Sequence, residues 1–185
     1  FFGHDPSVKP IPYSPQKAKD LLKAAGHGNG LDLVMDTSRK TREQSEAVVG
    51  YLKDVGIKVK LNVLEDASYK VVRRGSVQPN DILYVEFGHS VLDDVGVMIG
   101  LTSKMPFNTT GYKNPEFDKT YFATAREIDR DKRLKLAYKL AELSMRDLPW
   151  LPLYSVKAIW GLRKNIHFEP GPLVKHAGVN TMKPI

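Results

Sequence analysis

Two periods of apolar positions run along the chain, and the switches between them mark its elements. Ile57, Val59, Leu61 and Val63 fall on every second residue with Lys58, Lys60 and Asn62 between them, which predicts a strand over 57–64. Leu31-Asp32-Leu33-Val34-Met35 predicts another over 31–36. Between these two, Val48, Tyr51, Leu52 and Val55 take helical spacing, so a helix is expected over 41–55. Thr41 and Gln44 stand at capping-box separation at its start, and Gly56 stops it. Strand, helix, strand is a βαβ unit, which implies parallel strands and a right-handed crossover.

The same reading extends outward. Ser14 as N-cap, Pro15 at the first helical position and Gly26 as the stop bound a helix with Ala18, Leu21, Leu22 and Ala25 as its apolar stripe. Gly28-Asn29-Gly30 is a turn. A short helix is expected over 67–74, a third strand over 81–87, and a short helix and loop within 91–105. Asn114-Pro115 starts a helix with Phe117, Tyr121 and Ile128 on one side. The longest helix, 130–148, places Leu134, Tyr138, Ala141, Met145 and Leu148 for burial. Residues 150–160 read as an edge strand next to Pro149 and Pro152, and the tail after Arg163 as irregular. Residues 1–13, with Pro6, Pro10 and Pro12, read as extended. The alternation of strand and helix is that of an α/β fold: an open, mostly parallel sheet with helices on both faces.

Composition narrows the function classes. A chain of 185 residues suits one domain or one lobe of something larger. With 42% hydrophobic and 26% charged residues it is neither disordered nor fibrous. No apolar run approaches the roughly 18 residues of a membrane span. The start, Phe1-Phe2-Gly3-His4-Asp5, has neither an initiator Met nor a signal-peptide pattern, so a mature chain or an excised fragment is expected. The absence of cysteine excludes disulfides, thiolate metal sites and thiol nucleophiles. The net charge of +7 raises the question of nucleic acid, but the basic residues are scattered as singles and pairs such as Arg73-Arg74. No nucleic-acid partner is expected.

The most enzyme-like segment is Gly88-His89-Ser90-Val91-Leu92, after a strand, with His167 and His176 downstream. A serine hydrolase elbow wants glycine where Leu92 stands, so a hydrolase built on Gly88-His89-Ser90 is one alternative reading, a nucleic-acid-binding α/β domain is the other, and no enzyme is expected. The histidines at 4, 27, 89, 167 and 176 have no metal-ligand spacing, and neither a metal nor a cofactor is expected. Gly26 to Gly30 follows a helix instead of preceding one, which makes it a cap and turn and not a phosphate loop.

Four stretches, in order, carry a resemblance. Tyr13-Ser14-Pro15-Gln16-Lys17-Ala18-Lys19-Asp20-Leu21-Leu22-Lys23-Ala24-Ala25-Gly26 is the first. Leu52-Lys53-Asp54-Val55-Gly56-Ile57-Lys58-Val59 and Gly111-Tyr112-Lys113-Asn114-Pro115-Glu116-Phe117-Asp118 follow. The last is Asp131-Lys132-Arg133 with Leu148-Pro149-Trp150-Leu151-Pro152-Leu153-Tyr154. Together they resemble the oligopeptide-, dipeptide- and nickel-binding family of ABC-transporter solute-binding proteins.

The resemblance implies one lobe of a two-lobed periplasmic-binding-protein-like fold, here the C-terminal ligand-binding lobe. Residues 13–154 would be its core and 1–12 and 164–185 hinge-side segments. It implies extracytoplasmic binding of a small solute (a peptide, nickel chelate, sugar or opine) for an ABC permease, in a full-length protein that can be lipid-anchored. The N-terminal lobe of the same protein would be the other partner. The ligand-binding residues it implies are Tyr84, Glu86, Phe87, Gly88, His89 and Ser90, with Asn108 from the following loop. Phe87 takes the place of the family's stacking aromatic. Ser90 falls where the family has the Asp that meets an α-amino group, and Glu86 is the candidate to supply that charge.

Overall fold

A computed structural model of the chain describes residues 5–76, 78–85, 94–154, 161–168 and 182–184. These fall into two compact units, one of residues 9–86 with 104–111, the other of residues 1–8, 87–103 and 112–185.

In the first unit, helix α1 (Pro15–Ala24) begins where Ser14 accepts a hydrogen bond from the Lys17 N–H and Pro15 occupies the first turn. It ends in a Schellman motif: Gly26 at φ +86° donates to the Lys23 carbonyl and His27 to that of Leu22. Its apolar stripe is not buried: α1 has no buried residue and Leu21 is 60% exposed. Strand β1 (Leu31–Ser38), helix α2 (Arg42–Asp54) and strand β2 (Ile57–Leu64) form the expected βαβ unit. β1 and β2 are parallel and paired in register from Leu31 with Ile57 to Ser38 with Leu64. Gly30, at φ +100°, precedes this ladder, where a Cβ would lie 2.7 Å from the Gly56 carbonyl oxygen.

The α2 start differs from expectation. Thr41 is its N-cap residue, yet its side chain makes no cap bond, so there is no capping box. Its hydroxyl sits 2.9 Å from both the Thr37 and the Ser38 hydroxyls at the end of β1, and tertiary partners have replaced the local one. On the other side of the sheet order, helix α3 (Asp66–Arg73) leads to strand β3 (Ile82–Leu83), which is parallel to β1. The strand expected over 81–87 is therefore shorter: Ile82 and Leu83 pair with Met35 and Asp36, and Tyr84 adds an N–H bond to the Asp36 carbonyl at 2.9 Å. Residues 86 and 87 lie outside the described residues.

Among its described residues the second unit is mainly helical. Helix α4 (Asp94–Val97) and a 3-10 turn, Met98–Leu101, match the short helix expected there. Helix α5 (Pro115–Arg126) is capped by Asn114, whose side chain accepts from Glu116 and Phe117 N–H groups. Helix α6 (Arg130–Asp147) is capped by Asp129. The core lies here: Val95, Leu101, Phe117, Tyr121, Ala137, Leu140 and Leu143 form one buried cluster. On α5 the expected Phe117 and Tyr121 are buried, but Ile128 lies past the helix end and is 96% exposed. On α6 the buried row is Ala137, Leu140 and Leu143, one or two positions away from the expected row. Leu134, Tyr138, Ala141 and Met145 are half-buried beside it, and Leu148 is exposed at the left-handed helix end.

Two readings of the C-terminal part change. Residues 150–154 are not a strand, and 155–160 lie outside the described residues. The tail read as irregular instead contains strand β4 (Ile166–Phe168), antiparallel to strand β5 (Met182–Pro184).

Candidate functional site

The strand order β2-β1-β3 fixes where a ligand can meet the first unit. The chain steps from β1 outward to β2 and then returns past β1 to β3. With right-handed crossovers, these opposite steps put α2 and α3 on opposite faces of the sheet. The connections after β1 and after β2 thus leave on opposite faces, and open α/β sheets bind ligands outside the strands' carboxyl ends where the connections reverse. At this edge stand Ser38 and Arg39 after β1, Glu65 and Asp66 after β2, and Tyr84 and Val85 after β3.

The floor of this edge is polar and closed. Thr37 and Ser45 are fully buried with their hydroxyls 2.7 Å apart, and Ser45 donates to the Thr41 carbonyl at 2.8 Å. Ser38 and Thr41, also buried, complete the cluster through their shared hydroxyl bond. These hydroxyls and carbonyls bond to one another, which makes the cluster a rigid support for the edge. Above it, Arg39 pairs with Glu65, and Lys40 Nζ lies 3.3 Å from Asp66 Oδ2. All four side chains are at least half exposed, so each pair contributes at most about 1 kcal/mol to stability. Their weight is electrostatic: two cations and two carboxylates are set at the mouth of the reversal.

One carboxylate is buried below this edge. Asp36, 2% exposed, accepts from Asn62 Nδ2 at 2.7 Å on one oxygen, together with Asn80 Nδ2 at 2.7 Å. Its other oxygen accepts the Asn80 backbone N–H at 2.8 Å.

Of the residues expected at the site, Tyr84 stands at the end of β3, half-buried, its carbonyl accepting the Tyr69 hydroxyl at 2.9 Å. Asn108 is half-buried in the 104–111 loop of the same unit, where its side chain accepts from the Thr110 hydroxyl at 2.8 Å. Glu86, Phe87, Gly88, His89 and Ser90 lie outside the described residues, as does His176. His167, the other histidine of the hydrolase alternative, is exposed on β4. Sequence pattern assigned Asp36, Thr37 and Ser38 no site role and Thr41 only that of a helix cap, although a polar run directly after an apolar strand was the available signal.

A depression of about 580 Å³ opens at the opposite edge, where the strands begin, lined by Lys19, Asp20, Lys23, His27, Lys53 and Asp54 among others. Its charges are of mixed sign and it lies at the amino ends of β1 and β2, so topology favours the carboxyl edge instead.

The second unit carries a separate cluster. The Tyr112 hydroxyl donates to Asp147 Oδ2 at 2.7 Å and Asn114 Nδ2 donates to the same oxygen at 2.8 Å. Arg146 grips the other oxygen at 2.6 Å. Burial, then the hydrogen bond to Asp147, pushes the Tyr112 phenol up to about 12. The Arg146 bond, followed by those from Tyr112 and Asn114, holds the Asp147 carboxyl well below its usual range. The signs follow by linkage. The Tyr112 contribution is complete below the unfolded value of 10.0 and is lost as pH rises through about 12. That of Asp147 is present above its unfolded value of 3.8 and is lost in acid. In a spectrophotometric titration of tyrosinate, Tyr112→Phe should remove a step that titrates near pH 12. An unchanged step there in the variant would contradict the assignment.

Comparison with known proteins bears on the whole chain. Residues 1–108, more than half of it, match the model of the bacterial extracellular solute-binding proteins, family 5 Middle. The glutathione-binding protein GsiB of Salmonella choleraesuis (strain SC-B67) is 23% identical over 172 residues, which is 86% of this chain and 33% of the relative. The chain thus spans about a third of the length of that curated relative. The periplasmic binding protein DppA of Helicobacter pylori, solved with the peptide STSA, is 29% identical at TM-score 0.71, over 82% of this chain and 31% of that one. HbpA2 of Haemophilus parasuis has the same fold over 100% of this chain and 38% of its own, at TM-score 0.79 and 18% identity.

Proposed function

The chain belongs to the bacterial extracellular solute-binding proteins of family 5, and from that premise we propose that it is one lobe of a two-lobed protein that binds a peptide-like solute and delivers it to an ABC permease outside the cytoplasm. The observation that supports this reading is the strand order β2-β1-β3, with β2 and β3 on opposite sides of β1, an arrangement that favours a ligand crevice at the carboxyl edge near Ser38, Arg39 and Tyr84. The likeness to a glutathione-binding protein and to a protein solved with a tetrapeptide supports a short peptide as the solute class. The chain acts by binding, without catalysis. The rest of the ligand-binding set (Glu86, Phe87, Gly88, His89, Ser90 and Asn108) is proposed from the chain that leaves β3 and from the following loop.

Two-lobed binding proteins close around their solute, so one lobe alone offers a single wall. Calorimetric titration of the full-length protein with reduced glutathione and with the peptide Ser-Thr-Ser-Ala is expected to give saturable binding of at least one. The 185-residue chain by itself is expected to bind either weakly or undetectably. No binding to the full-length protein would overturn the peptide-like solute, and submicromolar binding to the isolated chain would overturn the one-lobe reading.

A further inference from the structure

Strand β3 is only two residues long, yet it delivers the chain to the proposed ligand crevice. Backbone pairing over Ile82 and Leu83 is too little to set a strand's register firmly. The structure supplies the missing definition through one residue of β1. The Asp36 carboxylate takes the Asn80 backbone N–H and the Asn80 side chain just before β3, and the Asp36 carbonyl takes the Tyr84 N–H just after it. Asp36 therefore brackets the strand at both ends. Asp81 adds a further tie, accepting the Val34 N–H at 2.7 Å where β1 would otherwise present an unpaired donor.

We infer that Asp36 is a positioning residue for the crevice: it sets the register of β3 and so fixes where Tyr84 and the chain beyond it emerge at the carboxyl edge. A carboxylate suits this task because it offers two acceptor oxygens and no donor, and all its partners are donors. An asparagine at 36 would turn an NH₂ toward one of those donors. The Asn62 bond runs instead to β2, whose eight-residue register needs no such help. It provides the matched control, since Asn62→Ala removes a bond from the same carboxylate without touching β3.

The inference rests on the solute-binding reading for its consequence, and the test separates the two. Amide hydrogen exchange and calorimetry are measured on the full-length protein, with Ser-Thr-Ser-Ala and reduced glutathione as probes. Asp36→Asn should speed exchange at the Tyr84 amide at least about tenfold while the β2 amides stay protected. Asn80→Ala, which leaves the carboxylate in place and removes one of its partners, should do the same to a smaller degree and keeps the test available should the first variant not fold. Both should weaken the bound probe, Asp36→Asn at least about tenfold, while Asn62→Ala leaves affinity within about twofold. A purely local role would speed exchange at Asn80 and leave Tyr84 unchanged, and that outcome overturns the inference. Equal losses of affinity in Asn62→Ala and Asp36→Asn overturn it as well. If neither probe binds the wild-type protein, the solute reading fails while exchange at Tyr84 still decides the role of Asp36.

Discussion

Replacing Phe117 with alanine is expected to lower the unfolding free energy of the helical unit by about 3–5 kcal/mol, the range for removing a buried aromatic. Phe117 has no exposed surface, lies in the cluster formed by α5 and α6, and meets Tyr112 edge-on with ring centroids 5.5 Å apart. Deleting the ring removes its transfer free energy, leaves a cavity between two helices that cannot fully collapse, and loses the aromatic pair. Against a total stability of about 5–15 kcal/mol for a typical domain, this is a severe loss. The control is Ile128→Ala: at 96% exposure it should change stability by no more than about 0.5 kcal/mol. Denaturant titration of the two variants checks the pair. Similar shifts in both would mean that the core is not where the structure places it.

Glu86→Gln in the full-length protein is expected to weaken Ser-Thr-Ser-Ala by about 1.5–3 kcal/mol, roughly ten- to 150-fold, with stability nearly unchanged. The reason is chemical. A peptide's α-amino group needs a carboxylate partner for a charge-assisted bond, and Ser90 of the proposed binding set cannot supply one. Glu86 is the nearest carboxylate on the chain that leaves β3. Acetylating the peptide's amine separates charge recognition from shape. The wild type should lose affinity for the acetylated peptide, and the glutamine variant should hardly distinguish the two. Unaltered affinity together with a large loss of stability would make Glu86 a structural residue and remove it from the site.

Much of the first unit was readable from local pattern. β2 alternates so strictly that its boundaries, 57 and 64, were legible from period alone. Ser14-Pro15 and Asn114-Pro115 marked helix starts because a cap and a proline act within one turn, without help from the rest of the fold. The βαβ unit followed, since two such strands joined by a helix leave no other economical pairing. The sites of disagreement have a common physical origin. Thr41 had a local partner available and took tertiary ones, because two hydroxyls at the end of β1 came within reach. On α6, Leu134, Leu136, Ala137, Tyr138, Leu140, Ala141 and Leu143 make a broad apolar face, and period alone cannot say which row is innermost. The α5 surface decides it.

The amino-acid order was therefore sufficient for the α/β class, the parallel β1–β2 pair and the proline-marked helix starts, because period, caps and the right-handed crossover of a βαβ unit announce them. It was also sufficient for the family, through four motifs in the right order. The folded chain was needed for pairings that no period, cap or crossover announces. The pairing of β4 with β5 joins Ile166 to Pro184, and no local pattern encodes such an encounter. The length of β3 depends on β1, and its register on a carboxylate 44 residues before Asn80. The reversal that makes a ligand crevice exists only once β3 has chosen the far side of β1, because a crevice between strands is a property of their order in space.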